Sequence, residues 1–197
     1  MRAETVGVSV SGTLDWLWAR LQDNPNPHVL DCGPVRSPTV RVLAERGCRL
    51  YVGDLLSLVC RAEGEVWDRT GEVPVFRTER LLSELPVISP GSLSVAFCWQ
   101  LLDLLPREAL SDLVRRLFLY LEPGGALFFI LREPHLTKGA DTTWYLEALT
   151  KLAARAPGQR PFLYPPLSNR EMQRLTPAGI TKTILTRSGV REVLVVK

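Results

Sequence analysis

Residues 28–54, HVLDCGPVRSPTVRVLAERGCRLYVGD, constrain the fold more than any other part of the chain. Val29 and Leu30 form an apolar run that ends at Asp31, and Gly33 permits a turn. Pro38 opens a helix with Val40, Leu43 and Ala44 inward, and Gly47 closes it. A second apolar run, residues 50–52, leads to Asp54. Strand, tight loop, helix and strand make a βαβ unit. In open α/β sheets ligands lie outside the carboxyl ends of the strands, where the 31–38 loop and Asp54 stand. A carboxylate at Asp54 can accept both hydroxyl protons of a ribose, and it can equally cap a helix beginning at Leu55.

The rest of the chain supplies what such a unit needs. Its 197 residues make one ordinary domain, and a hydrophobic content of 46% is enough to cover a sheet on both faces. The formal net charge of +3 is small and the basic residues are scattered, with Arg115-Arg116 and Arg187/Arg191 the densest groupings, so nucleic acid is not indicated. Cys32, Cys48, Cys60 and Cys98 have no short paired spacing; they read as reduced, buried thiols of a cytoplasmic protein. With only two histidines, no histidine-rich metal site is expected. The first residues lack the apolar core of a secretory signal, and no apolar run approaches the roughly 18 residues of a membrane span.

Taken in order, residues 1–12 are a weakly determined arm, and Leu14, Leu17, Trp18 and Leu21 predict a helix that Asn24-Pro25-Asn26-Pro27 stops. It either packs on the core or lids a pocket. Residues 1–27 thus form an N-terminal arm and helix, and residues 28–197 the α/β domain. A third strand falls at 73–76, before a short helix through Leu81, Leu82 and Leu85. Residues 93–99, LSVAFCW, read as a central strand buried on both faces. At its end, Cys98, Trp99 and Gln100 are either simply packed or line a cavity, where Gln100 would orient a polar acceptor. Residues 107–121 form an amphipathic helix with Leu110, Leu113, Val114, Leu117 and Leu121 on one face. Pro123-Gly124-Gly125 then turns the chain into the apolar run ALFFIL.

Residues 132–142 read as a loop with Glu133, His135 and Lys138 as polar members, and His135 is either a general base or a solvated side chain. A helix is predicted over residues 143–156. Phe162 and Tyr164 are pocket walls or plain anchors, and Ser168 with Glu171 forms a capping box. Residues 180–186 and 190–197 are two strands joined by Arg187-Ser188-Gly189, a hairpin signal.

The strand ending in Asp31 with Gly33 two residues on, the acid at Asp54, the Pro123-Gly124-Gly125 turn and the terminal hairpin together resemble the class I S-adenosylmethionine-dependent methyltransferases. The resemblance implies a three-layer Rossmann-like α/β sandwich, with a mostly parallel seven-stranded sheet ending in an antiparallel hairpin. It also implies S-adenosylmethionine as cofactor and methyl transfer to a small-molecule or macromolecular acceptor. On that reading Asp31 and Gly33 hold the amino-acid end of the donor, Arg36 its carboxylate and Asp54 its ribose. Glu79 meets the adenine, and Cys98 lies at the donor, with Gln100 and His135 the candidates for catalysis. The later glycines of the family's first motif fall on Val35 and Ser37. A β-branched residue tolerates a positive φ poorly, so a second reading stands beside the first: a non-catalytic, methyltransferase-like pseudoenzyme that serves a protein partner.

Overall fold

The computed structural model describes residues 5–61, 66–68, 74–133, 141–158, 164–176, 182–186 and 190–197. The elements follow in order as β1 (Thr5–Val10), α1 (Gly12–Arg20), β2 (His28–Asp31), α2 (Ser37–Glu45), β3 (Arg49–Val52) and α3 (Leu55–Cys60). Then come β4 (Trp67–Asp68), β5 (Val75–Phe76), α4 (Thr78–Ser83), β6 (Leu93–Phe97), a 3-10 turn (Leu101–Leu104), α5 (Arg107–Tyr120) and β7 (Leu121–Arg132). The chain finishes with β8 (Asp141–Ala148), β9 (Lys151–Gly158), α6 (Asn169–Leu175), β10 (Lys182–Leu185) and β11 (Val190–Val196).

The main sheet has the order β10-β11-β7-β6-β2-β3. β3, β2, β6 and β7 run parallel, while β11 is antiparallel to both β7 and β10. The βαβ unit, the α5 helix, the capping box at Ser168 and the terminal hairpin all stand as the sequence predicts. The sheet has six strands among the described residues, not seven. The missing strand is the expected third one: among the described residues Val75 and Phe76 pair only with Trp67 and Asp68. Pro74, which has no N–H to give a ladder, directly precedes this two-residue run.

The two faces of the sheet are covered differently. On one face Leu30, Ala96, Leu127 and Phe129 pack under α3, α4, α5 and α6, with Leu55, Leu81, Leu113, Leu117 and Met172 turned inward. On the other, Val29, Val95, Phe97 and Phe128 meet Leu14, Leu17 and Trp18 of α1 and Leu43 of α2. The helix predicted over 143–156 is instead a hairpin. β8 pairs with β9, and β9 pairs with β1, so residues 5–10 of the supposed arm complete a three-stranded antiparallel sheet. The run TTWYLEALTKLAARA carries good helix formers, but packing overrides propensity. Trp144 and Leu146 alternate into the second core, and the Leu146 N–H donates to Thr39 Oγ1 of α2 at 3.1 Å. Ser11 closes this layer: its hydroxyl accepts from the Leu14 N–H (3.0 Å) and donates to the buried Glu192 of β11 (2.5 Å).

The Pro123-Gly124-Gly125 turn uses its glycines in two ways. Gly124 has φ +82°, a left-handed conformation. A Cβ on Gly125 would stand 2.6 Å from the Leu93 carbonyl oxygen, so this residue is where β7 passes close to the backbone of β6.

Candidate functional site

The chain leaves β2 through α2 to form β3 on one side, and later returns to form β6 on the other side of β2. The carboxyl end of β2 is therefore the topological switch point of the sheet, the place where open α/β folds bind ligands. Asp31 ends β2 and Asp54 follows β3, with the Gly53 N–H donating to the Asp31 carbonyl at 2.9 Å.

Asp54 caps α3: its Oδ1 accepts from the Ser57 N–H at 3.0 Å. Its second carboxylate oxygen has no partner among the described residues. Arg36 sits at the N-cap position of α2 without a capping bond, and its Nε is buried with no hydrogen-bond partner among the described residues. An unpaired buried donor costs about 1–3 kcal/mol. Gln100, buried at the start of the 3-10 turn, likewise has its Oε1 buried and unpartnered among the described residues.

Val35 does not fill the crevice beside this loop, being 62% exposed. Trp99 does. Its indole is 1% exposed, and its Nε1–H donates to Asp31 Oδ1 at 2.6 Å, the same oxygen that accepts from the Gly33 N–H at 2.8 Å. A Cβ on Gly33 would stand 2.5 Å from Trp99 Cδ1 and 2.7 Å from Nε1. Gly33 is thus needed for room rather than for a left-handed turn, and the group taking that room is a side chain of the protein itself. Phe97 stacks on the indole (centroids 5.4 Å, 14° between planes) and Phe128 meets it edge-on at 6.4 Å. Trp99 reaches this place with φ +39°, where a bulky residue carries strain of about 1–3 kcal/mol. A hydrogen bond to a charged group is worth about 1.5–3 kcal/mol and offsets it.

Burial pushes the Asp31 carboxyl up to about 6, and the nearby Asp54 charge adds to the rise, against the opposing bonds from Trp99 and Gly33. The other sequence-predicted residues scatter. Cys98 lies with Cys32 in the opposite core, both fully buried. Glu79 is exposed in the first turn of α4. His135 and Lys138 lie outside the described residues, as do Phe162 and the Arg187-Ser188-Gly189 link.

A second polar cluster sits at the carboxyl end of β7. The Arg132 N–H donates to the buried Asp103 (2.7 Å) and its guanidinium to the Tyr164 carbonyl (2.6 Å). Arg191 pairs with Glu133 (3.6 Å) and donates to the carbonyls of Arg132 and Leu167 and to Asn169 Oδ1. These arginines are engaged in pinning the 164–169 segment to the sheet, so Tyr164 is an anchor point there. Burial raises Asp103 to about 6 in spite of Arg132. Among the described residues no group of three or more His, Cys, Asp or Glu could hold a metal ion, and no helix is long and apolar enough to cross a membrane.

The polar groups at the switch point are a carboxylate oxygen of Asp54 and a buried guanidinium nitrogen of Arg36, neither with a partner among the described residues. The space against Gly33 is held by Trp99. No family model and no curated protein matches the sequence. Solved structures do. The chain is similar to the 1,6-didemethyltoxoflavin-N1-methyltransferase of Burkholderia thailandensis, solved with 1,6-didemethyltoxoflavin and S-adenosylhomocysteine bound. The TM-score is 0.51 at 16% identity, over 93% of this chain and 76% of that one. It is also similar to an S-adenosylmethionine-dependent methyltransferase from Methanosarcina mazei, with TM-score 0.50 at 16% identity over 88% and 93% of the two chains. At this identity the likeness is one of architecture: the chain has the fold of the class I S-adenosylmethionine-dependent methyltransferases.

Proposed function

We propose that the chain binds S-adenosylmethionine in the crevice outside β2 and β3 and transfers its methyl group to a small-molecule acceptor. One observation carries the reading: two polar atoms without a partner among the described residues, the second oxygen of Asp54 and the buried Nε of Arg36, flank the glycine loop at the switch point of this fold. On this reading Asp54 holds the ribose, Arg36 the carboxylate, and Asp31 with Gly33 the amino-acid end. When bound, the donor supplies an electrophilic methyl. The chain's own part is to orient donor and acceptor and to keep water out, which is most of what such a transfer needs. The acceptor class follows the Burkholderia neighbour, an N1-methyltransferase solved with 1,6-didemethyltoxoflavin bound. Gln100, with its buried unpartnered oxygen, is the candidate to orient it.

The test is thermal unfolding with and without S-adenosylmethionine or S-adenosylhomocysteine. At 100 times its dissociation constant a ligand adds about 2.7 kcal/mol of stability. The reading expects a shift that Asp54→Ala abolishes; no shift at millimolar ligand, in the wild type and in variants of Trp99, would refute it. A second reading, a non-catalytic scaffold, is favoured by the indole buried against Gly33, and it expects that same absence of any shift.

A further inference from the structure

We infer that Trp99 is an internal plug of the donor crevice: its indole occupies the place of the donor's amino-acid end, and donor binding proceeds by expelling it. The inference rests on the proposed function above. Three independent features support it. The indole takes up the room that Gly33 leaves by having no side chain, so closely that a single added carbon would collide with it. Its N–H is bonded to Asp31 Oδ1, so the indole presents a donor group to the acid, as the ammonium group of an amino acid would. And the closed arrangement is strained: Trp99 sits at φ +39°, and the Oε1 of Gln100, the next residue, is buried without a partner among the described residues. The bond to Asp31 is what offsets the strain at residue 99, so a ligand group that takes over that bond leaves the strain to drive the ring out.

The consequence is a tax on affinity. If the indole is out of the crevice in a fraction f of molecules, the apparent dissociation constant is the intrinsic one divided by f. Removing the indole removes the tax. Phe97 and Phe128, which hold the ring by stacking and edge contact, set f from the closed side.

The experiment is calorimetric titration of the full chain with S-adenosylhomocysteine, comparing wild type, Trp99→Ala, Trp99→Leu and Trp99→Ala/Asp54→Ala. Trp99→Leu keeps an apolar side chain in the core and serves if the alanine variant does not fold. The plug expects affinity to rise at least tenfold without the indole, and the gain to vanish when Asp54 is also removed. Equal affinity in wild type and both Trp99 variants overturns the plug and leaves the proposed function standing. Binding in none of them overturns the proposed function and the plug with it. A second readout is taken on the wild type: in protein labelled with 15N-tryptophan, with Trp99→Phe used only to assign the signal, the Trp99 indole N–H, buried and bonded to Asp31, is expected to be protected from exchange in the free protein. The plug expects it to lose protection when S-adenosylhomocysteine is added to the wild type. A signal that stays protected while the ligand is bound overturns it.

Discussion

Asp31 offers a quantitative test of the crevice that needs no ligand. Its carboxyl is raised from 3.8 to about 6 in the folded protein, chiefly by burial. The folded state therefore holds this proton more tightly than the unfolded chain does. The contribution to stability is fully present below pH 3.8 and is lost as pH rises through about 6; above that it is flat. The difference of roughly two units corresponds to about 3 kcal/mol. Asp31→Asn keeps an oxygen to accept from Gly33 and Trp99 and never ionises, but its amide N–H2 needs a partner of its own, which costs about 1–3 kcal/mol. The variant is expected to be more stable than wild type by about 1 kcal/mol at pH 7.5, with a pH dependence between 4 and 7 shallower by about 3 kcal/mol. Urea unfolding at half-unit intervals across that window measures both. Asp103, raised to about 6 at the far polar cluster, gives the same sign in both proteins and cancels from the comparison. A pH profile unchanged by Asp31→Asn would refute the claim that burial holds this carboxyl above its ordinary value.

Other expectations follow from single contacts. Gly33→Ala forces the indole to move and should cost about 1–3 kcal/mol in wild type, but clearly less in a Trp99→Ala background; a double-mutant cycle by denaturation reads the coupling. Gly125→Ala sets a Cβ against the backbone of β6, which cannot yield, so about 2 kcal/mol or more should be lost whatever stands at position 99. Ser11→Ala removes a helix cap and the partner of the buried Glu192, and should lower stability by about 2–4 kcal/mol in the same assay.

What the sequence made legible is what local chemistry dictates. The apolar runs ending in Asp31 and at Val52, the proline that opens α2 and the glycine at φ +82° that closes it were readable because each answers to a few neighbouring residues. The leucine stripe of α5 and the Ser168 capping box were readable for the same reason. The hairpin of β8 and β9 was not, because its helix-forming residues become strands only where β1, more than a hundred positions away, supplies a partner. The role of Trp99 was half visible. Phe97 and Trp99 are two residues apart and so share a face, while Cys98 points to the other, a spacing that already separates Cys98 from the crevice. That the indole would cross the end of the sheet to reach Asp31 and Gly33 depends on the φ of +39° at residue 99, and no run of residues announces that.

Whether the crevice outside β2 and β3 receives the donor is decided by ultraviolet crosslinking of tritiated S-adenosylmethionine to the Trp99→Ala variant, followed by peptide mapping. Label is expected to be confined to peptides from residues 28–61 and to be lost with Asp54→Ala. Label placed elsewhere on the chain, or label indifferent to Asp54, would contradict donor binding there.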